Sequence, residues 1–187
     1  MVSLGRSRRA IHFLTFRHEF RVTDKPKNLR PTTLIEAPRL SERLGTTVVL
    51  ASETFQYTGS FKFRAAYHVA TSVPHPMIVT ASSGNFGQAI ALACKLTNKR
   101  CIVVMPQNSA RVKVDAVIAY GATAELIDTT VITREARVAE LAAQYPEAYV
   151  ASAYNDPLVI AGNATLGREL ASAPYSFDAV VVPIGGG

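Results

Sequence analysis

The chain has 187 residues, of which 48% are hydrophobic and 18% are charged, a composition typical of a globular protein and not of a disordered one. None of its apolar runs approaches the ~20 residues that cross a bilayer, which argues against a membrane protein. A net charge of +6 would suit a nucleic-acid-binding protein, but that excess lies within the first 30 residues, so the remainder is neutral.

The first segment, residues 1–30, is a basic extension with eight Lys or Arg and only Glu19 and Asp24 as acids. Lacking acids before Glu19, it fits an organelle transit peptide, an unstructured extension or translation from an upstream start codon. A nucleic-acid partner is not expected, because no nucleic-acid-binding module adjoins this segment.

The next elements alternate between short apolar runs and longer amphipathic stretches. Strands are predicted at Val48–Leu50, Met77–Thr80, Cys101–Met105, Ala124–Ile127, Ala148–Ala151 and Ala179–Ile184, and helices at Gly59–Ala70 and near 86–97, 110–120, 131–144 and 157–172. This βαβα order with apolar strands predicts an α/β fold, in which helices cover both faces of a parallel sheet.

Two cysteines fall within these elements, Cys94 in a helix and Cys101 in a strand. Both are interpreted as small buried hydrophobic residues in a reducing compartment, which favours the cytoplasm. The Cys and His spacings match no metal site, so no metal is predicted.

Lys62 is the first candidate for chemistry, within Gln56–Arg64 (QYTGSFKFR). It lies just inside a predicted helix start, where the helix dipole disfavours a cation. A lysine in a largely apolar pocket has a lowered pKa and can form a Schiff base with an aldehyde. A single lysine is more often a solvated surface residue, so this interpretation depends on the neighbouring motifs.

Two further segments could bind anions. Ser82, Ser83, Gly84 and Asn85 form a strand-to-helix turn whose free amides could hold an anion, although an ordinary helix cap explains the same residues. The run 183–187 (PIGGG) follows a predicted strand, and glycines there would let the backbone wrap a phosphate. A flexible overhang is the alternative for that run.

Together, TGSFK, SSGNFGQA and PIGGG occur in an order that resembles the fold-type II pyridoxal-phosphate (PLP) enzymes, in the branch of threonine/serine dehydratases and serine racemases. Stretches 31–45, 104–121 and 156–170 agree with it, so the resemblance covers nearly everything from residue 31 onward. It implies PLP as cofactor, a small amino-acid substrate, and a homodimer for a full-length parent. The implied activity is deamination of L-threonine or L-serine to a 2-oxo acid and ammonia, or alternatively serine racemisation.

The resemblance also implies roles for individual residues. Lys62 would bear the cofactor and move the Cα proton, while Phe61 would flank the cofactor and Asn85 would bind its 3′ oxygen. The substrate carboxylate would be held by Ser82, Ser83, Gly84 and Asn85, and the cofactor phosphate by Gly185, Gly186 and Gly187. In racemases of this branch the serine matching Ser83 is the second acid/base group.

By the same resemblance, residues 31–76 and 152–187 are two parts of an incomplete large domain, and residues 77–151 are a complete small domain. The chain is therefore expected to be C-terminally truncated and inactive alone. Departures from the family pattern, at Ala51, Ala65, Phe86 and 162–165 (GNAT), leave Lys62 and Asn85 unaltered but put the substrate in doubt.

Three alternatives remain open. A nucleotide-binding Rossmann protein would explain the sheet, but the turn after residue 80 lacks GxGxxG spacing and the next strand ends in Met105 and Pro106 instead of an acidic residue. A catalytically inactive binding fragment fits the departures. The sulfhydrylase branch is disfavoured, since Phe63 and Arg64 stand where it has an acidic residue.

Overall fold

The computed structural model describes residues 29–183. Its elements are, in chain order, β1 (Thr33–Glu36), α1 (Pro38–Leu44), β2 (Val49–Ser52), a 3-10 turn (Tyr57–Gly59), α2 (Lys62–Ser72), β3 (Met77–Ala81), α3 (Asn85–Leu96), β4 (Arg100–Pro106), α4 (Arg111–Ala119), β5 (Thr123–Ile127), α5 (Arg134–Gln144), β6 (Ala148–Ala151) and α6 (Pro157–Ala171). The predictions about residues 1–28 and 184–187 lie outside the described residues.

Four strands form one parallel sheet in the order β5-β4-β3-β6, which confirms the predicted fold class. The central strand β3 is buried along most of its length because helices pack on both faces of the sheet. On one face the core is built around α2 and α3, and on the other α5 packs against β3 and β4. Cys94 and Cys101 are both buried and free, as predicted.

A second, two-stranded sheet pairs β1 with β2 in antiparallel fashion; the strand predicted at Val48–Leu50 overlaps β2, whereas β1 and the pairing were not predicted. Each strand has only four residues and neither contains a buried side chain, so the apolar signal is weak. The helix α1 between them begins at Pro38 and is capped after Leu44 by Gly45, which adopts a left-handed φ of 66°.

The strand predicted at Ala179–Ile184 is absent from the described residues 179–183, which corrects that prediction. Apolar composition alone does not make a strand, because backbone groups in a strand need a partner to hydrogen-bond. Here Val181 is 94% exposed and lies beside no strand of the described chain.

Packing between α2 and α6 brings the first half of the chain against its last helix. The N-terminus of α6 is fixed by Asp156, whose carboxylate accepts hydrogen bonds from the Leu158 amide at 2.8 Å and the Tyr149 hydroxyl at 2.9 Å. Burial and the Asp156 carboxylate raise the pKa of Tyr149. Within residues 29–183, no helix has the length and apolarity to span a membrane.

Candidate active site

The order of the strands places a topological switch point at the carboxyl edge of the parallel sheet. From β3 the chain proceeds outward to β4 and β5, and then returns to β6 on the opposite side of β3. The loops that leave β3 and β6 therefore diverge at the carboxyl edge, where ligands bind in open α/β sheets. These loops are residues 82–84 and 152–156.

Lys62 reaches this edge from α2. Its Nζ lies 4.8 Å from the centroid of the Phe61 ring and 5.9 Å from that of Tyr154, which belongs to the loop after β6. The lysine is half-buried, whereas Tyr154 is 52% exposed and Phe61 is also exposed. The amine thus lies near two aromatic rings whose remaining surface is open.

Burial lowers the pKa of Lys62, because desolvation disfavours the ammonium form. Lys62 is also the first residue of α2, where the unpaired amides of the helix carry partial positive charge. The fraction of neutral amine at pH 7 is therefore higher than for an ordinary lysine. A neutral amine can attack a carbonyl carbon or accept a proton.

The turn before Lys62 is conformationally restricted. Thr58 and Gly59 both have left-handed backbones, with φ of 61° and 69°, which is uncommon for a threonine. The hydroxyls of Thr58 and Ser60 are buried and find no hydrogen-bond partner within residues 29–183. Such buried polar atoms usually have a partner, so the lack of one at both hydroxyls is unusual.

The turn after β3 uses Ser82 as an internal cap. The Ser82 hydroxyl accepts hydrogen bonds from the amides of Gly84, at 3.3 Å, and Gly87, at 3.0 Å, and the side chain is buried. Ser82 therefore has the structural role that an ordinary helix cap would give it. Its role as a carboxylate ligand stays a prediction.

The outer residues of the same turn are more accessible. Ser83 is half-buried, Asn85 is exposed, and the Asn85 Oδ1 accepts a long hydrogen bond of 3.4 Å from the Lys113 ammonium. Phe86 points instead into the hydrophobic core and is 2% exposed. The accessible residues at this helix start are thus Ser83, Gly84 and Asn85, and their roles as ligands stay predictions.

Gly87 is required for the geometry of the turn. A Cβ atom at this position would lie 2.8 Å from the Ser82 carbonyl oxygen and 3.1 Å from Cγ1 of Val103. We expect Gly87→Ala to lower the free energy of unfolding by about 1–3 kcal/mol, measured by urea denaturation. Gly84→Ala is the control, because its Cβ meets nothing within 4 Å. Equal stability of the two variants would contradict this account of the turn.

The structure brings only part of the predicted set together. Lys62 and Phe61 lie at the carboxyl edge to which the turn 82–85 also belongs, since Tyr154 and that turn follow the paired ends of β6 and β3. Gly185, Gly186 and Gly187 lie outside the described residues, so their phosphate-binding role stays a prediction. Tyr154 was missed. The strand that precedes it and the capping Asp156-Pro157 that follows could have marked its loop as part of this edge.

The chain is similar in sequence and structure to several known proteins. L-threo-3-hydroxyaspartate ammonia-lyase of Saccharomyces cerevisiae is 36% identical over 160 residues, which are 83% of this chain and 49% of that protein. The crystal structure of serine racemase from Dictyostelium discoideum superposes with a TM-score of 0.73 at 32% identity, covering 78% of this chain and 48% of that one. The structure of the processed form of threonine deaminase isoform 2 from Solanum lycopersicum superposes with a TM-score of 0.71 at 31% identity, covering 77% of this chain and 40% of that one.

The chain thus spans about half the length, or less, of these relatives. A family match extends over residues 26–187 and has the description Pyridoxal-phosphate dependent enzyme. Since this match includes α2 with Lys62, the parallel sheet and both loops at its carboxyl edge, the chain belongs to the family of pyridoxal-phosphate-dependent enzymes.

Proposed function

We propose that Lys62 carries PLP covalently, and that the whole protein deaminates a hydroxy amino acid such as L-threonine or L-serine to a 2-oxo acid and ammonia. Support comes from the ammonia-lyase and threonine deaminase among its relatives. The observation that carries the proposal is the Lys62 amine, half-buried between the Phe61 and Tyr154 rings with a pKa lowered by desolvation.

The described residues fit the cofactor in three respects. Lys62 offers an amine with increased neutral fraction for an aldehyde. The rings of Phe61 and Tyr154 are exposed near that amine and could pack against a flat heterocycle. The hydroxyls of Thr58 and Ser60 lack partners among residues 29–183 and could bind the polar substituents of a bound ring.

Each protein group then has a defined task. When bound, PLP supplies an electron sink for the electron pair left when the substrate Cα loses its proton. The Lys62 Nζ, released from the cofactor when the substrate amine takes its place, would take that proton in its neutral form. The amides at the start of α3, with Ser83 and Asn85, bind the substrate carboxylate, because unpaired helix-start amides attract anions. Loss of the β-hydroxyl, with hydrolysis of the released product, yields the 2-oxo acid and ammonia.

Attachment of the cofactor can be tested with the 187-residue chain. After incubation with PLP, borohydride reduction and peptide mass spectrometry, we expect the stable adduct at Lys62 in preference to the other lysines. Lys62→Ala should abolish this adduct, whereas Lys95→Ala, a change at an exposed lysine of α3, should leave it intact. Adducts spread evenly over all lysines of the native chain would overturn the proposal.

We expect no pyruvate release from L-serine by the 187-residue chain alone, because the chain spans only about half of its relatives. The measurement is a coupled lactate dehydrogenase assay with PLP present. Robust pyruvate release, lost in Lys62→Ala, would show this expectation to be wrong while leaving the role of Lys62 in place.

Racemisation is the second candidate, and Ser83 favours it. Its side chain is half-exposed on the turn after β3 and makes no hydrogen bond to any residue between 29 and 183. A free hydroxyl could return a proton to Cα from the face opposite Lys62. In the whole protein, formation of D-serine from L-serine that Ser83→Ala lowers by a much larger factor than it lowers deamination would support racemisation. If no D-serine forms, racemisation is excluded and deamination remains the proposed activity.

A further inference from the structure

Arg64 lies two residues after Lys62 in α2, and its side chain is completely buried. The guanidinium donates to both oxygens of Glu53, at 2.6 and 2.9 Å, and to both oxygens of Glu169, at 2.9 and 3.1 Å. The side chains of these carboxylates are 9% and 20% exposed. One arginine is thus held by two largely buried carboxylates, a bidentate geometry that a lysine could not reproduce.

Three neutral oxygens complete the coordination. The Arg64 guanidinium also donates to the Thr32 hydroxyl at 2.9 Å, the Thr165 hydroxyl at 3.2 Å and the Arg30 carbonyl at 3.3 Å. We call this group of six residues (Arg30, Thr32, Glu53, Arg64, Thr165, Glu169) the Arg64 cluster. Its members come from α2, α6, the loop after β2 and the segment before β1. A single side chain therefore connects four separate parts of the chain.

Helix geometry connects this cluster to the site. Residues two apart on an α-helix project about 200° from one another, so Arg64 and Lys62 point to opposite sides of the first turn of α2. Any rotation of this turn that loosened the cluster would also displace the Lys62 amine. The close approach of Gly162, whose Cβ would lie 2.6 Å from the Cα of Ala65, restricts translation of the same turn against α6.

Burying an ion cluster is seldom the most stabilising choice, since apolar replacements of similar volume often do as well. A directional cluster does, however, fix one orientation of the helix it holds. We propose that Arg64 is a positioning residue for Lys62, whose guanidinium sets the rotation of the first turn of α2 and so holds the Lys62 amine between the Phe61 and Tyr154 rings. This inference rests on the proposed function and deepens it.

The test compares Arg64→Lys, which keeps the charge but loses the planar fork, with Arg137→Lys as a matched control. Arg137 also binds two carboxylates, Glu125 at 2.8 Å and Glu140 at 2.7 Å, but it lies on α5. We expect the PLP concentration for half-maximal trapping at Lys62 to rise at least roughly tenfold in Arg64→Lys, because even a small misplacement of a reacting group strongly impairs its reaction. It should not change in Arg137→Lys.

A second readout does not need the cofactor. The rate of reductive methylation of Lys62 by formaldehyde, followed against pH by mass spectrometry, reports the pKa of its amine, and the exposed Lys95 in the same chain serves as reference. In Arg64→Lys the pH profile of Lys62 should move upward, toward that of an ordinary lysine. If Arg64 had only a structural role, Arg64→Lys would lower the melting temperature of the folded chain without moving the pH profile of Lys62.

The outcomes separate the two proposals. Unchanged trapping and an unchanged profile in folded Arg64→Lys would overturn the positioning role. If Arg64→Lys does not fold, Glu169→Gln, which keeps the shape of one partner, takes its place with the same expected direction. If the native chain fails to trap PLP at Lys62 while the profile still moves in the variant, the proposed function fails and the positioning role stands.

Discussion

Gly162→Ala is expected to lower the free energy of unfolding by about 2–3 kcal/mol, although alanine is normally the better helix residue. Gly162 lies in α6 where this helix crosses α2. An added Cβ would approach the Cα of Ala65 to 2.6 Å, the Arg64 carbonyl oxygen to 2.8 Å and the Cβ of His68 to 2.9 Å. Two of these three atoms are backbone, so the clash can be relieved only by separating the helices.

Gly167→Ala in the same helix is the matched control. Its Cβ would meet nothing within 4 Å, so it should be neutral or stabilise by up to about 1 kcal/mol through helix propensity. Urea denaturation of both variants measures the difference. Two variants of equal stability would show that the helices are free to move apart. The same loss of contact should disturb the Arg64 cluster, since the Thr165 hydroxyl donates to the Gly162 carbonyl at 2.7 Å.

The parallel sheet could be predicted from the sequence because its strands are apolar and its helices periodic. The predicted strand at Ala148–Ala151 coincides with β6, and the helix predicted near 86–97 differs from α3 by one residue at each end. Burial on both faces produces such runs. The strand predicted at Ala179–Ile184 was wrong over residues 179–183, and β1 with its pairing to β2 was missed, because pairing depends on a partner strand that composition does not reveal.

The candidate site likewise contains residues that could be predicted from the sequence and residues that could not. Lys62 and the turn 82–85 have local signals, a lysine at a helix start and a cluster of capping residues after a strand. The Arg64 cluster has none, because its contacts join distant parts of the chain, and Tyr154 is marked only indirectly, by the strand before it and the capping Asp156 after it. Arg64 and Glu169, for example, are separated by 105 residues. Local patterns therefore identified Lys62 and the turn 82–85 as candidates, but not the contacts that Arg64 and Tyr154 make with distant parts of the chain.

Arg64→Met is expected to lower the free energy of unfolding at pH 7 by about 3–5 kcal/mol, the usual result of removing one partner from a buried ion pair. The variant leaves Glu53 and Glu169 charged, largely buried and without their cation. In the native chain, burial alone would raise the pKa of Glu169, but hydrogen bonds and attraction from Arg64, with hydrogen bonds from Thr32, outweigh it and lower the pKa.

The loss of stability caused by Arg64→Met should become smaller as the pH falls. In the native chain the pKa of Glu169 is below its unfolded value of about 4.3, so its contribution is present above that pH and is lost as pH falls further. Without Arg64, burial dominates and raises the folded pKa of Glu169 above the unfolded value. The variant then gains stability as pH falls from 7 toward about 4.3, because the buried carboxylate takes up a proton.

Urea denaturation of the native chain and of Arg64→Met at pH 7, 5.5 and 4.5 measures how their difference in free energy of unfolding decreases. Adding Glu169→Gln to Arg64→Met should restore part of the stability at pH 7 and weaken the pH dependence, because the second change removes one unpaired buried carboxylate. Arg137→Met is the control, since Arg137 and its partners are more exposed and should show a far smaller loss. A difference that stays constant from pH 7 to 4.5 would mean that the Glu169 carboxylate finds water or another cation once Arg64 is gone.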